Sequence, residues 1–114
     1  MAISPDGAHL AVVDTERCII QLFDVTTGKA VRALKGHTGG EMYHVAFSAD
    51  GSVLASSSDD RTLRLWDVKK GIEIVSLSGI GKYGAMGMVF SPNGRFMASA
   101  EFGGDVILWA VSDQ

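Results

Sequence analysis

The chain has 114 residues, 46% of them apolar and 20% charged, with 14 glycines, two prolines, one cysteine and a net charge of −3. That balance excludes low-hydrophobicity disorder, a collagen-like repeat and a disulfide framework; no apolar run approaches the ~20 residues that span a bilayer, and the start at Met1 lacks the basic and apolar stretches of a secretion signal. With the single cysteine Cys18 and no basic cluster beyond Lys69-Lys70, the reading is a soluble cytoplasmic protein with neither a nucleic-acid nor a membrane surface.

In chain order, the first signal is the turn Ser4-Pro5-Asp6-Gly7, which returns as Ser48-Ala49-Asp50-Gly51 and Ser91-Pro92-Asn93-Gly94. Phe23-Asp24 returns as Trp66-Asp67 and Trp109-Ala110, Thr27-Gly28 as Lys70-Gly71, and Lys35-Gly36-His37 as Ser78-Gly79-Ile80, all at a step of 43 residues. Only the first turn is out of step, by one residue. The extra residue falls between Ala11 and Asp24, where VVDTERCIIQLF replaces the shorter SSSDDRTLRLW, and so lies in a hairpin turn. Four landmarks in register define an internal repeat.

The second copy is the clearest. Tyr43 to Ser48 is a β-prone run ended by Ala49-Asp50-Gly51, where Asp bonds its own backbone and Gly accepts a positive φ. Val53–Ser58 is a second strand, Asp59-Asp60-Arg61 a polar turn, Thr62–Val68 a third strand, and Glu73–Leu77 a half-exposed fourth. No segment has a 3.6-residue period, so helices are not expected. Leu54, Ala55, Leu63, Leu65 and Trp66 make such a meander apolar on both faces, and only neighbouring sheets can cover both.

These residues resemble a WD-repeat β-propeller over nearly the whole chain. The second copy carries the match: Gly36-His37, then HVAFSADG, then LASSSDDRTLRLWD. The resemblance implies an all-β fold, a partial β-propeller of three blades made of four-stranded antiparallel meanders, the third lacking its outermost strand. Blade 1 is expected at about residues 1–36, blade 2 at about 41–79 and blade 3 at about 84–114. It also implies a structural tetrad of His37, Ser56, Asp60 and Trp66, whose donors and acceptors satisfy one another. Ile80 and Gly103 break that pattern in the third copy, as Phe23 does in the first, so only the central blade is expected to be fully latched.

Several sharper readings compete with this one. Ser56, His37 and Asp60 are the residue types of a hydrolytic triad, but a strand serine under a loop with no oxyanion hole argues for a structural role. Gly79 to Gly84 lacks the Ser or Thr of a phosphate-binding loop, and adjacent Asp59-Asp60 supply too few converging oxygens for calcium. His9 reads as a surface residue, His44 as a strand residue, and Cys18 as a buried inert thiol in an apolar strand. No catalytic residue, cofactor or metal is expected.

Binding remains. The family's rim loops map onto Glu41, Tyr43 and Asp59 in the second copy and Gly84, Met86 and Phe102 in the third, with Tyr83 alongside. Aromatic and methionine side chains suit an interface core, and the neighbouring carboxylates point to a basic and apolar protein segment as partner. The reading is a non-catalytic protein-interaction scaffold; alternatives are a sensor or regulatory array of a larger enzyme such as a kinase or signalling NTPase, and a hydrolase using Ser56. Propellers close with 4 to 8 blades of about 40 to 45 residues, so about 2.65 periods read as a fragment of a longer protein, or as a protomer that self-associates through uncovered blade faces.

Overall fold

The structure, a computed structural model, describes residues 2–14, 16–36, 42–58, 62–78, 85–92, 96–101 and 106–110. Every regular element among them is a strand: β1 (Ala2–Ile3), β2 (His9–Asp14), β3 (Ile19–Asp24), β4 (Ala30–Lys35), β5 (Met42–Phe47), β6 (Val53–Ser58), β7 (Thr62–Asp67), β8 (Ile72–Ser78), β9 (Ala85–Phe90), β10 (Phe96–Glu101) and β11 (Val106–Ala110). Among the described residues no helix is long and apolar enough to cross a membrane. The strands form three sheets in the orders β1-β2-β3-β4, β5-β6-β7-β8 and β9-β10-β11, and each neighbouring pair runs antiparallel. The innermost strands β1, β5 and β9 lie beside one another in that order. This is the architecture implied by the family resemblance, with four, four and three strands.

In the second sheet Val53–Ser58 has the expected bounds, and the other three strands differ from the expected ones by a residue at one or both ends. Ser48 ends β5 because its N–H turns back to the Val53 carbonyl (2.8 Å). Val68 leaves β7 because its N–H goes to the Ser52 carbonyl (3.1 Å) instead of the ladder.

The recurring turns are built alike. The Ser4 hydroxyl donates to Asp6 Oδ1 (2.6 Å) and accepts from the His9 N–H (3.0 Å), while the Asp6 carboxylate also takes the Ala8 N–H (2.9 Å). In the second sheet the Ser48 hydroxyl donates to Asp50 (2.9 Å), which accepts from the Ser52 N–H (2.9 Å) and hydroxyl (2.7 Å). Gly51 closes that turn at φ 78°, a backbone conformation that costs a residue with a side chain roughly 1–2 kcal/mol. These bonds hold the Asp6 and Asp50 carboxyls below the usual carboxylate range, through the Ser4 hydroxyl first in one case and the Ser52 N–H first in the other.

Cys18 departs from the sequence reading. The extra residue of the first copy lengthens the β2–β3 connection to residues 15–18, and the chain re-enters β3 through Cys18 in the left-handed region, at φ 57°. Cys18 is therefore a turn residue, half-buried against the first core cluster, and not a strand thiol. Asp14 holds the same turn through the Arg17 N–H (3.2 Å).

Two apolar layers hold the sheets face to face. Ala11, Ile20, Leu22 and Leu34 of the first sheet pack on Val45, Leu54, Trp66 and Val68 of the second. Ala55, Leu63 and Leu65 on the opposite face of the second pack on Met88 and Met97 of the third, flanked by Phe90 and Trp109. Alternating side chains of one meander thus fill two different layers.

Candidate functional site

The WD-type landmarks converge on β6 and β7. Trp66 Nε1 donates to Ser56 Oγ at 2.8 Å, and both residues are buried. The third sheet repeats the bond between Trp109 Nε1 and Ser99 Oγ at 3.0 Å. In the first sheet both partners change together, Val12 standing where Ser56 and Ser99 stand and Phe23 where the tryptophans stand. The polar pair becomes an apolar one, which leaves no donor or acceptor stranded at that position. His37 and Asp60, the other two expected members of the tetrad, lie outside the described residues.

Gly36 precedes His37 at a close approach. A Cβ there would sit 2.9 Å from Trp66 Cη2 and 3.0 Å from both Arg64 Nη1 and Glu73 Oε1. Arg64 and Glu73 are themselves ion-paired across β7 and β8, and Arg64 Nε also donates to the Thr62 hydroxyl (3.1 Å). The glycine thus lets the backbone at residue 36 lie close to the Trp66 ring. Asp67 caps the following turn through the Lys70 N–H (2.9 Å), as Asp24 does through those of Thr26 (2.8 Å) and Thr27 (3.1 Å). The Trp-Asp dipeptide therefore joins a layer contact to a turn cap.

Of the expected rim residues, Glu41, Asp59, Tyr83, Gly84 and Phe102 lie outside the described residues. Tyr43 and Met86 are placed by their backbone. The β5–β6 register passes from Met42 opposite Ser58 to His44 opposite Ser57, so Tyr43 is an extra, unpaired residue. The β9–β10 register passes from Ala85 opposite Glu101 to Gly87 opposite Ala100, and Met86 is the extra residue at the equivalent place. A bulge at the start of an innermost strand re-aims the residue it carries and recurs beside binding sites.

Two features had no signal in the residue types alone. His44 Nδ1 accepts the Met88 N–H at 3.3 Å, a polar link between the second and third sheets. Burial pushes the His44 imidazole below its usual range. Alternation along β5 puts His44 on the face toward the third sheet, but only tertiary packing supplies its donor. The Arg64–Glu73 pair is equally invisible without the bulge between Leu65 and Trp66 that sets its register.

A hydrolytic role for Ser56 finds no exposed nucleophile, since the side chain is fully buried under the indole of Trp66. Among the described residues no group of three or more His, Cys, Asp and Glu side chains gathers at one place.

The profile of the WD domain, G-beta repeat, matches residues 28–67 and 74–110. The chain belongs to the WD-repeat family. Each matched WD unit takes in the outermost strand of one sheet and the next three strands, so every sequence repeat ties two sheets together. Periodic tryptophan protein 2 homolog of Schizosaccharomyces pombe is 29% identical over 99% of the chain and 13% of its own length. U3 small nucleolar RNA-associated protein 15 homolog of Xenopus tropicalis is 35% identical over 85% of the chain and 18% of its own length. Polycomb protein EED of Chaetomium thermophilum is 33% identical over 82% of the chain and 18% of its own length. The chain spans less than a fifth of the length of these curated relatives.

Proposed function

We propose that this WD-repeat array is a non-catalytic protein-interaction scaffold, one arc of a larger cytoplasmic propeller, and that its partner docks on the rim formed by Glu41, Tyr43, Asp59, Tyr83, Met86 and Phe102. The observation that carries the rim is the matched pair of bulges at Tyr43 and Met86, which singles out two large side chains of the kind that anchor interfaces. Glu41 and Asp59 favour a partner segment that is basic as well as apolar. One relative is named for an association with a small nucleolar RNA; the net charge of −3 here favours a protein over a nucleic acid as the direct contact. His37, Ser56, Asp60 and Trp66 hold the rim rigid and touch no partner in this reading.

The test is affinity capture with crosslinking, using the full chain as bait and comparing it with a Tyr43→Ala/Phe102→Ala double variant. Loss of two central aromatic anchors is expected to weaken capture of a crosslinked protein by at least about thirtyfold, with the unfolding transition unchanged. Equal capture by both baits defeats the rim assignment.

A further inference from the structure

Antiparallel strands alternate in direction, so the turns after β1, β5 and β7 lie at the end of the sheets away from Tyr43 and Met86. At that end a groove of ≈ 430 Å³ crosses the seam between the first and second sheets, lined by the buried Leu22 and Val68 and by the charged residues Asp6, Asp50, Arg32 and Lys69. Both of its walls belong to sheets already stacked on one another. Further repeats would stack on the opposite faces of the first and third sheets, not across this seam.

The groove is acidic at one end and basic at the other. Asp6 and Asp50 follow the innermost strands β1 and β5, whereas Arg32 lies on the outermost strand β4 and Lys69 in the turn before the outermost strand β8. Leu22 and Val68 lie between. The serine bonds of the two recurring turns all go to Oδ1 of each aspartate, which fixes the carboxylate and leaves Oδ2 without a hydrogen bond from another described residue. At the outer end the Arg32 stem lies against the Gly71 turn of the second sheet, its Cδ 3.0 Å from where a Cβ would stand. Neither Arg32 nor Lys69 has an ion pair among the described residues.

This charge pattern belongs to the first seam. One repeat later Asp6, Asp50, Arg32 and Lys69 become Asp50, Asn93, Val75 and Ser112, which keep one charge of the four. The register confirms the match at the decisive position, with Arg32 opposite Leu22 and Val75 opposite Leu65.

We propose that this groove is a second docking surface, and that it takes an extended segment of a partner protein carrying a basic residue for Asp6 and Asp50, an apolar residue for Leu22 and Val68, and an acidic residue for Arg32 and Lys69. Two strand spacings of ~4.8 Å separate the inner turns from the outer one, and extended chain advances ~3.3 Å per residue. The basic and acidic residues therefore stand about three positions apart, in either chain direction. The proposal rests on the scaffold reading and uses none of the rim residues.

The probe is a displayed library of random peptides of about ten residues, panned on the full chain, with the enriched peptides then synthesised and titrated by fluorescence anisotropy. Enriched peptides are expected to share an apolar residue between a basic and an acidic one. Arg32→Glu/Lys69→Glu reverses the outer end at two exposed positions, so circular dichroism should match the wild type while these peptides bind at least about tenfold more weakly. Exchanging the peptide's acidic residue for Lys is expected to restore binding to that variant. Asp6 and Asp50 also hold their turns, so the inner end is tested from the peptide: exchanging its basic residue for Glu is expected to abolish binding to the wild type.

Equal binding by wild type and Arg32→Glu/Lys69→Glu overturns the proposal, as does failure of either exchange. Enrichment of peptides without the charge pair, or no enrichment, overturns it as well. A second copy of the chain as occupant would give, in light scattering, a dimer that Arg32→Glu/Lys69→Glu dissolves, and that result also overturns it. The Tyr43→Ala/Phe102→Ala variant is expected to bind the peptides normally, so failure here and failure of the rim assignment are told apart.

Discussion

Trp66 gives its indole N–H to the Ser56 hydroxyl across β6 and β7, 2.8 Å apart and shut off from solvent. The bond joins a layer contact to a polar one, because the same ring belongs to the apolar layer that the second sheet shares with the first. Trp66→Phe is expected to cost at least about 2 kcal/mol, from lost packing and from loss of the buried indole-to-hydroxyl bond. Ser56→Ala alone should also destabilise. The double variant should be milder than the sum by about 1 kcal/mol, since Val12 and Phe23 fill these positions as an apolar pair in the first sheet. A double-mutant cycle in urea measures the difference, and strict additivity would show that the bond carries no coupling.

Gly36→Ala tests the close approach to Trp66. A Cβ 2.9 Å from a buried ring cannot be relieved by moving a flexible side-chain tip, so overpacking of roughly 1–3 kcal/mol is expected. Gly7→Ala is the control, since a Cβ there meets open space and only its φ of 73° is strained; its cost should be about 1 kcal/mol. Equal and small losses at both sites would mean that the segment before His37 yields freely.

His44 makes stability depend on pH. Its nitrogen accepts the Met88 N–H only when unprotonated, and burial disfavours the charged ring. The unfolded chain thus binds the proton more readily than the folded one. Stability should be full above the ordinary histidine value of about 6.5 and fall as pH drops below it, until folded His44 also protonates. His44→Asn keeps an acceptor without a titrating ring and should flatten the profile over that window. An unchanged slope in the variant would place its origin elsewhere.

Asp50 acts at lower pH and with the opposite charge. Its carboxylate accepts from the Ser52 N–H and hydroxyl and from the Ser48 hydroxyl, which lowers its pKa in the folded chain. The stabilisation is present above the unfolded aspartate value of about 3.9 and is lost as pH falls through the lower folded value. Asp50→Ala should cost roughly 1 kcal/mol at neutral pH, with thermal melts as the readout. The site is exposed, so salt screening keeps the effect small.

Much of this architecture was legible because it rests on local chemistry repeated at a fixed step. Ser-x-Asp-Gly writes its own turn, the Asp of Trp-Asp caps another, and alternating apolar residues mark the strands between them. The family resemblance then ordered the strands into sheets. What sequence reading missed depends on register and on neighbours. Cys18 looked like strand because Ile19 and Ile20 follow it, but a four-residue connection needed a left-handed residue at that place. Tyr43 and Met86 were expected at the rim from family position, yet nothing in their residue types marks them as bulged, since a bulge exists only relative to the partner strand. His44 and Met88 are far apart in the chain and meet only after two sheets have stacked.

The Ser–Trp pairs leave the chain with a tryptophan in each of the second and third sheets and none in the first. Trp66 lies at the first layer and Trp109, half-buried, at the second. Each indole is thus a fluorescent reporter for its own sheet boundary. The emission of Trp109→Phe and Trp66→Phe variants during unfolding would read out whether the sheets peel away in sequence or part together.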